Sequence, residues 1–331
     1  MTQISKRRFL SFLFAELAKA KPIVDAKVAT LAGIGLEAEI WASSGIQPNN
    51  GWMIDSNPKV IQKLIQKEAE FVWRLYRGQA HSFPEVFRAS YGEEAGLDLF
   101  HLDLYGTVEK SLFEVGNLIP IVAMSEARLF ALTVSDQRGH HATTYSGSLW
   151  RFMNELFGEM TTRILRGVDH VHFSVIEAQR AMSDPYSSVR RECATVLSWF
   201  CAQFGDREDF QQPVKDIYPT LMRLAHKASK QQVMMYPVTK MQRVTYADGY
   251  RMKSYLFQLG SERVPFEEAL RSLANAWMDS PFYFFDAEGE IRFFGVGSAS
   301  AASRQRLEAL LPILDSELGA DLKALLDLHR T

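Results

Sequence analysis

The chain has 331 residues, of which 47% are hydrophobic and 23% charged, with a formal net charge of −2 at pH 7. That length allows one large domain with an appendage or two modest ones, and the composition is that of an ordinary globular protein with a sizeable core. No apolar run is long enough to span a bilayer, so no membrane partner is expected. The balanced charge excludes a global attraction to nucleic acid and leaves only a local basic face open. Cys193 and Cys201 stand eight residues apart with no His or third Cys at ligand spacing, which fits buried thiols. With no disulfide or targeting signal, the expected location is cytoplasmic.

Near the start, Lys6-Arg7-Arg8 precedes the apolar stretch Phe9–Ala15, an order also found at the head of signal peptides. Glu16 ends that stretch after seven residues, and Phe9, Leu10, Leu13, Phe14 and Leu17 follow helical spacing. The segment is read as an amphipathic helix packed on a sheet. From about residue 5 to residue 138, apolar strand patterns alternate with amphipathic helix patterns, as in a mostly parallel sheet covered on both faces. Strands are expected at about 27–32 and 51–55, within 71–77, over Leu97–Leu102 ending at Asp103, and over Arg128–Val134 ending at Ser135-Asp136. Asn57-Pro58 opens a helix, because proline suits the first helical position.

From 148 to 230 the pattern turns helical, marking a large insertion, within which Val171–Ile176 fits a strand or a helix equally. Arg243–Phe257 then reads as two strands around the Asp248-Gly249 turn. Residues 1–260 thus form an α/β domain carrying the insertion. Residues 261–331 form a small α+β unit: a helix with Phe266, Leu270, Leu273 and Trp277, a hairpin turning at Asp286–Gly289, and a Leu-rich closing helix.

The first strand ends in Ala32-Gly33-Ile34-Gly35, and Asp55 follows Gly35 by 20 residues at the end of the second strand. Two glycines let the chain turn sharply into a helix with its main chain uncovered, and a carboxylate at that spacing suits both hydroxyls of a ribose. A nucleoside cofactor is therefore expected. The same turn satisfies the relaxed dinucleotide fingerprint Gly33-x-Gly35-x-x-Ala38, so a nicotinamide or flavin cofactor stays open at this point.

The glycine turn, Asp55, Gly78-Gln79-Ala80 after the third strand, Asp103-Leu104-Tyr105-Gly106 after the fourth and the closing hairpin together resemble the class I S-adenosylmethionine-dependent methyltransferases. The resemblance spans roughly residues 25–138 and 233–259. Leu102–Thr107 and Leu132–Asp136 are locally most similar to the tRNA guanine-N2 methyltransferases and to the three-Cys-motif partner proteins. Leu104 departs from the usual proline, Gln79 stands where many relatives have Asp, and no acid precedes Gly33.

The resemblance implies a Rossmann-like, mostly parallel sheet ending in an antiparallel hairpin, with S-adenosylmethionine as cofactor. Ala32, Gly33, Gly35, Leu36, Asp55, Ser56, Gln79 and Ala80 would contact it. The chemistry would be in-line methyl transfer to an amino group, less readily a hydroxyl, on a nucleic-acid base. Asp103 would accept a hydrogen bond from the nucleophile, Tyr105 would stack on a flat base, and Asp136 would orient the substrate. Asp103 and Asp136 are also placed to cap loops.

Other features read more plainly. Adjacent His140 and His141 point apart and lack a third ligand, so no metal is expected. Glu37 sits in the first turn of a helix, where the dipole favours an acid in any case. Tyr236, Pro237 and Tyr246 fit a substrate wall or simply a core. Lys227, Lys230, Lys240, Arg243, Arg251 and Lys253 alternate with Tyr236, Tyr246, Tyr250 and Tyr255, a pattern open to a nucleic-acid face or a solvated surface. Two rival functions stand beside the enzyme: a non-catalytic module binding a protein partner through the helical insertion, and a nicotinamide-dependent oxidoreductase.

Overall fold

The computed structural model describes residues 4–31, 36–67, 73–104, 112–135, 196, 199–200, 202–203, 227, 230–247, 251–278, 280–285 and 290–293. Helix α1 (Ile4–Ala20) leads to β1 (Val28–Leu31), α2 (Leu36–Ser44), β2 (Gly51–Asp55), α3 (Pro58–Lys67) and β3 (Arg74–Arg77). Next come α4 (Phe83–Tyr91), β4 (Leu99–Leu104), α5 (Leu112–Ala123) and β5 (Leu129–Ser135). After the insertion follow β6 (Met234–Met235), β7 (Val238–Ala247), β8 (Arg251–Leu259), β9 (Val264–Pro265), α6 (Phe266–Met278), β10 (Phe282–Phe285) and β11 (Glu290–Phe293). Several expected features lie outside the described residues: the 32–35 turn, Tyr105, Asp136, the two histidines, both cysteines, most of the insertion, the tips of both hairpins and the closing helix.

Nine strands form one sheet in the order β11-β10-β7-β8-β5-β4-β1-β2-β3, while β6 and β9 pair separately. The five strands β1 to β5 are mutually parallel. Strand β8 is antiparallel to both β5 and β7, so an inverted strand stands between two that run the same way. The strands expected over 243–257 are thus a long hairpin inside the sheet. The strand pair assigned to a C-terminal unit joins the same sheet, because β10 adds in parallel to β7 and β11 folds back on it.

Alternation along the strands sorts side chains into two cores. On one face, Phe100, Leu102 and Leu104 of β4 and Phe130 and Leu132 of β5 pack beneath α4, α5 and α6. Trp199 from the insertion stacks flat on Phe257 of β8, with ring centroids 3.9 Å apart. On the other face, α1 and α2 cover Val28, Leu99, Leu129, Ala131 and Leu256. Helix α1 lays Phe9, Leu10, Leu13, Phe14 and Leu17 onto this face, the stripe its sequence spacing predicts.

Strand β4 departs from expectation. It starts at Leu99 and continues through Leu104, because β5 pairs with it as far as Leu104. Asp103 therefore lies inside the strand rather than after it, on the face covered by α1.

Phe9 is fully buried, edge-on to His101 and stacked on Tyr246 with centroids 5.0 Å apart. Phe9→Ala should lower unfolding free energy by about 3–5 kcal/mol in urea titration. A loss near zero would mean that α1 is not integral to the fold.

Candidate functional site

Strand β1 has β2 on one side and β4 on the other, so the connections leaving their carboxyl ends diverge. Open α/β sheets bind ligands in the crevice that such a divergence opens. The parallel strands deliver Leu31, Asp55, Arg77, Leu104 and Ser135 to this one edge. Thr30 is in register with His101, which places Asp103 level with the point where β1 stops.

The expected cofactor residues that the structure describes divide by surroundings. Asp55 ends β2 half-buried, and its Oδ1 accepts the Asn57 N–H at 2.7 Å. Asn57 in turn caps α3 by accepting the Lys59 N–H at 3.0 Å. The Gly78 N–H donates to the Asp55 carbonyl at 3.1 Å, which draws the exit of β3 against the end of β2. Ser56 and Gln79 are exposed beside them, so Asp55, Ser56 and Gln79 line one polar rim. Leu36 and Ala80 are buried core side chains, leaving only their backbone for a ligand. Ala32, Gly33 and Gly35 lie outside the described residues, as do Tyr105 and Asp136.

Asp103 is not an isolated carboxylate. Lys6 reaches down from α1 and places Nζ 2.8 Å from Asp103 Oδ2 and 2.9 Å from Glu37 Oε1. All three side chains are at most 5% exposed. Burial opposes the Lys6 charge, but Glu37 and Asp103 outweigh it and hold its pKa well above the usual lysine value. Burial also raises the pKa of Glu37, against the pull of Lys6. Lys6 occupies a position of the apolar stripe, one turn before Phe9 and Leu10. Such a lysine is the sequence signal that a buried partner exists.

One level below, polar side chains run across four strands. The Thr30 hydroxyl lies 3.1 Å from the His101 carbonyl, His101 Nε2 lies 3.0 Å from Thr133 Oγ1, and Thr133 Oγ1 lies 2.7 Å from Ser254 Oγ. Burial lowers the His101 pKa to about 4, with Asp103 opposing the shift and Lys6 adding to it, so the ring is neutral at pH 7. These groups are sealed beneath Phe9 and brace the sheet rather than face a ligand.

The remaining readings sort by position. Tyr236 and Pro237 precede β7, at the amino edge of the parallel strands, where the Gly260 N–H donates to the Pro237 carbonyl. They stand away from the crevice and cannot wall it. Arg243, Tyr246 and Tyr255 are buried, and Tyr246 and Tyr255 belong to opposite cores, so these three described residues do not belong to one exposed basic and aromatic surface. Among the described residues no group of three or more His, Cys, Asp or Glu is placed to hold a metal. None of the described helices is long and apolar enough to cross a membrane.

No protein-family model matches the chain, and no curated protein does. Among solved structures, the plantazolicin methyltransferase BamL, in complex with a triazolic desmethylPZN analog and SAH, is similar at 13% identity. The match covers 78% of this chain and 85% of that one, with a TM-score of 0.33. A putative Zn-dependent alcohol dehydrogenase from Rhodobacter sphaeroides is similar at 12% identity, over 78% of this chain and 99% of that one, with a TM-score of 0.31.

Removing Lys6 would leave two buried carboxyl groups without their cation. Lys6→Met should cost about 3–5 kcal/mol by urea unfolding, and adding Asp103→Leu should recover much of it. A single variant as stable as the parent would refute the buried pairing.

His101 makes a separate prediction. Between pH 6.5 and about 4 the unfolded chain protonates this histidine while the folded one does not, so stability falls as pH falls through that window. Glu37 contributes with the opposite sign, because the folded state keeps its proton above pH 4.5 while the unfolded state loses it. The quantity to measure is therefore the slope of parent minus His101→Asn, expected at up to about 1.4 kcal/mol per pH unit. Parallel slopes would show that His101 titrates normally.

Proposed function

We propose that the protein is an S-adenosylmethionine-dependent methyltransferase, acting in-line on an amino group, less readily a hydroxyl, of a nucleic-acid base. The observation that carries this reading is the inverted β8 between β5 and β7. A dinucleotide-binding sheet of the 3-2-1-4-5-6 order has no such strand, whereas a closing strand-turn-strand belongs to the methyltransferase pattern that the sequence resembles. The polar rim of Asp55, Ser56 and Gln79 supports it, with a half-buried carboxylate where a ribose would lie. Methyl transfer asks mainly for orientation and exclusion of water, so no strong acid or base is needed.

One observation favours a second reading. Asp103 is tied to Lys6 through one oxygen and is nearly closed to solvent, as suits a methyltransferase fold kept as an interaction module. Its partner would be a protein bound through the helical insertion. Transfer of a labelled methyl group into cell extract separates the two: the enzyme labels an acceptor and Asp103→Ala does not, whereas the module labels nothing.

Calorimetry tests the cofactor directly. S-adenosylmethionine and S-adenosylhomocysteine should both bind saturably, and Asp55→Ala should weaken both by roughly tenfold to a hundredfold, the loss of hydrogen bonds to a charged acceptor. Absence of binding by the intact protein would overturn the proposal.

A further inference from the structure

Lys6, Glu37 and Asp103 gather two carboxyl groups around one ammonium in a space closed to water. Counted as formal charges, the cluster is one positive charge short. The bonding shows part of the same shortage: Lys6 serves one oxygen of each acid, and among the described residues Oδ1 of Asp103 accepts no hydrogen bond. Buried carboxyl oxygens ordinarily accept one. The cluster also lies at the crevice, since Asp103 stands level with the end of β1 and Glu37 is the second residue of α2. Thus two buried acids that share one cation, with Asp103 Oδ1 unbonded among the described residues, sit where a ligand of this fold approaches.

We infer that this cluster registers the charge of the ligand: a proton on Glu37 fills the shortage in the free protein, and the sulfonium of the methyl donor fills it in the complex. The site would consequently hold the cationic donor more tightly than the neutral thioether product. This rests on the methyl-donor reading above and extends it to residues outside the glycine turn, the ribose acid and the strand ends.

The neighbours leave Glu37 as the group that exchanges. Lys6 is held charged by both acids. His101 on β4 is neutral and bonded to Thr133, and Tyr246 on β7 is stacked on Phe9. Burial raises the proton affinity of Glu37, which makes it the acid of the pair that takes up the placeholder proton. No contact with the sulfonium is required, because one unit charge at an effective dielectric near 20 is still worth roughly tenfold in affinity across several ångströms.

The test compares S-adenosylmethionine with S-adenosylhomocysteine, without acceptor, by calorimetry on the full chain and on Glu37→Gln, which keeps the side-chain volume. The donor-to-product affinity ratio is expected to fall roughly tenfold in the variant, while the thioether's own affinity changes by less than about twofold. An unchanged ratio, or an equal loss for both ligands, overturns the inference while leaving the methyl-donor reading intact. Failure of the parent protein to bind either ligand overturns both.

A second measurement needs no variant. Repeating the parent titrations in buffers of different ionisation enthalpy counts the protons exchanged. Release on binding the sulfonium and none on binding the thioether is expected; no difference between the two ligands refutes the exchange on Glu37 even if Glu37→Gln fails to fold.

Discussion

The face of the sheet beneath α1 is not apolar, and the carboxyl edge depends on how that face is closed. Thr30, His101, Asp103, Thr133 and Ser254 all project onto it. Unbonded polar groups at such depth would each cost on the order of 1–3 kcal/mol. Helix α1 solves the problem with two residues one turn apart: Lys6 supplies the counter-charge and Phe9 supplies the roof. Pairing with β5 carries β4 through Leu104, and the lysine neutralises the carboxylate that this places under α1 at the edge of the crevice.

The two faces divide the work. The face under α4, α5 and α6 is almost wholly apolar, and the contacts of Trp199 with Phe130 and Phe257 hold that part of the insertion against it. Gly116 of α5 shows how close that fit is, since a Cβ there would meet the Ala202 carbonyl at 2.3 Å. The α1 face trades some of that packing for a bonded polar layer. Such layers specify register, because a strand displaced by one residue would turn every hydroxyl in it to the wrong side.

Much of this was legible where the signals are local. Strand β2 runs over Gly51–Asp55 as its apolar run and turn residues indicate, Asn57-Pro58 opens α3 through a side-chain cap, and β7 and β8 pair as the strands expected over 243–257. The period-two pattern of β4 also separates Leu99, His101 and Asp103 from Phe100, Leu102 and Leu104. The trio of charges was legible only in part: Lys6 in the apolar stripe signals a buried partner, but nothing in the sequence says which acid it is when Asp103 is 97 positions away. Glu37 looked like an acid favoured by a helix dipole, and its burial against Lys6 depends on where α1 crosses α2. Tyr236 stays open in the sequence for the opposite reason: aromatic and basic residues at strand spacing are the same letters whether they wall a cleft or pack on a core.

Helix α1 precedes every strand it rests on, which has a consequence for how the chain acquires its structure. Its partners arrive late: Asp103 is 97 residues downstream, and Gln242, which bonds Glu16 at 2.8 Å, is 226 residues downstream. Contacts of such separation form only after the loop-closure cost of everything between has been met. The apolar stripe of α1 therefore cannot be fully covered until β7 has been made. Folding of the carboxyl edge is thereby tied to the strands that lie far downstream of α1 in the chain.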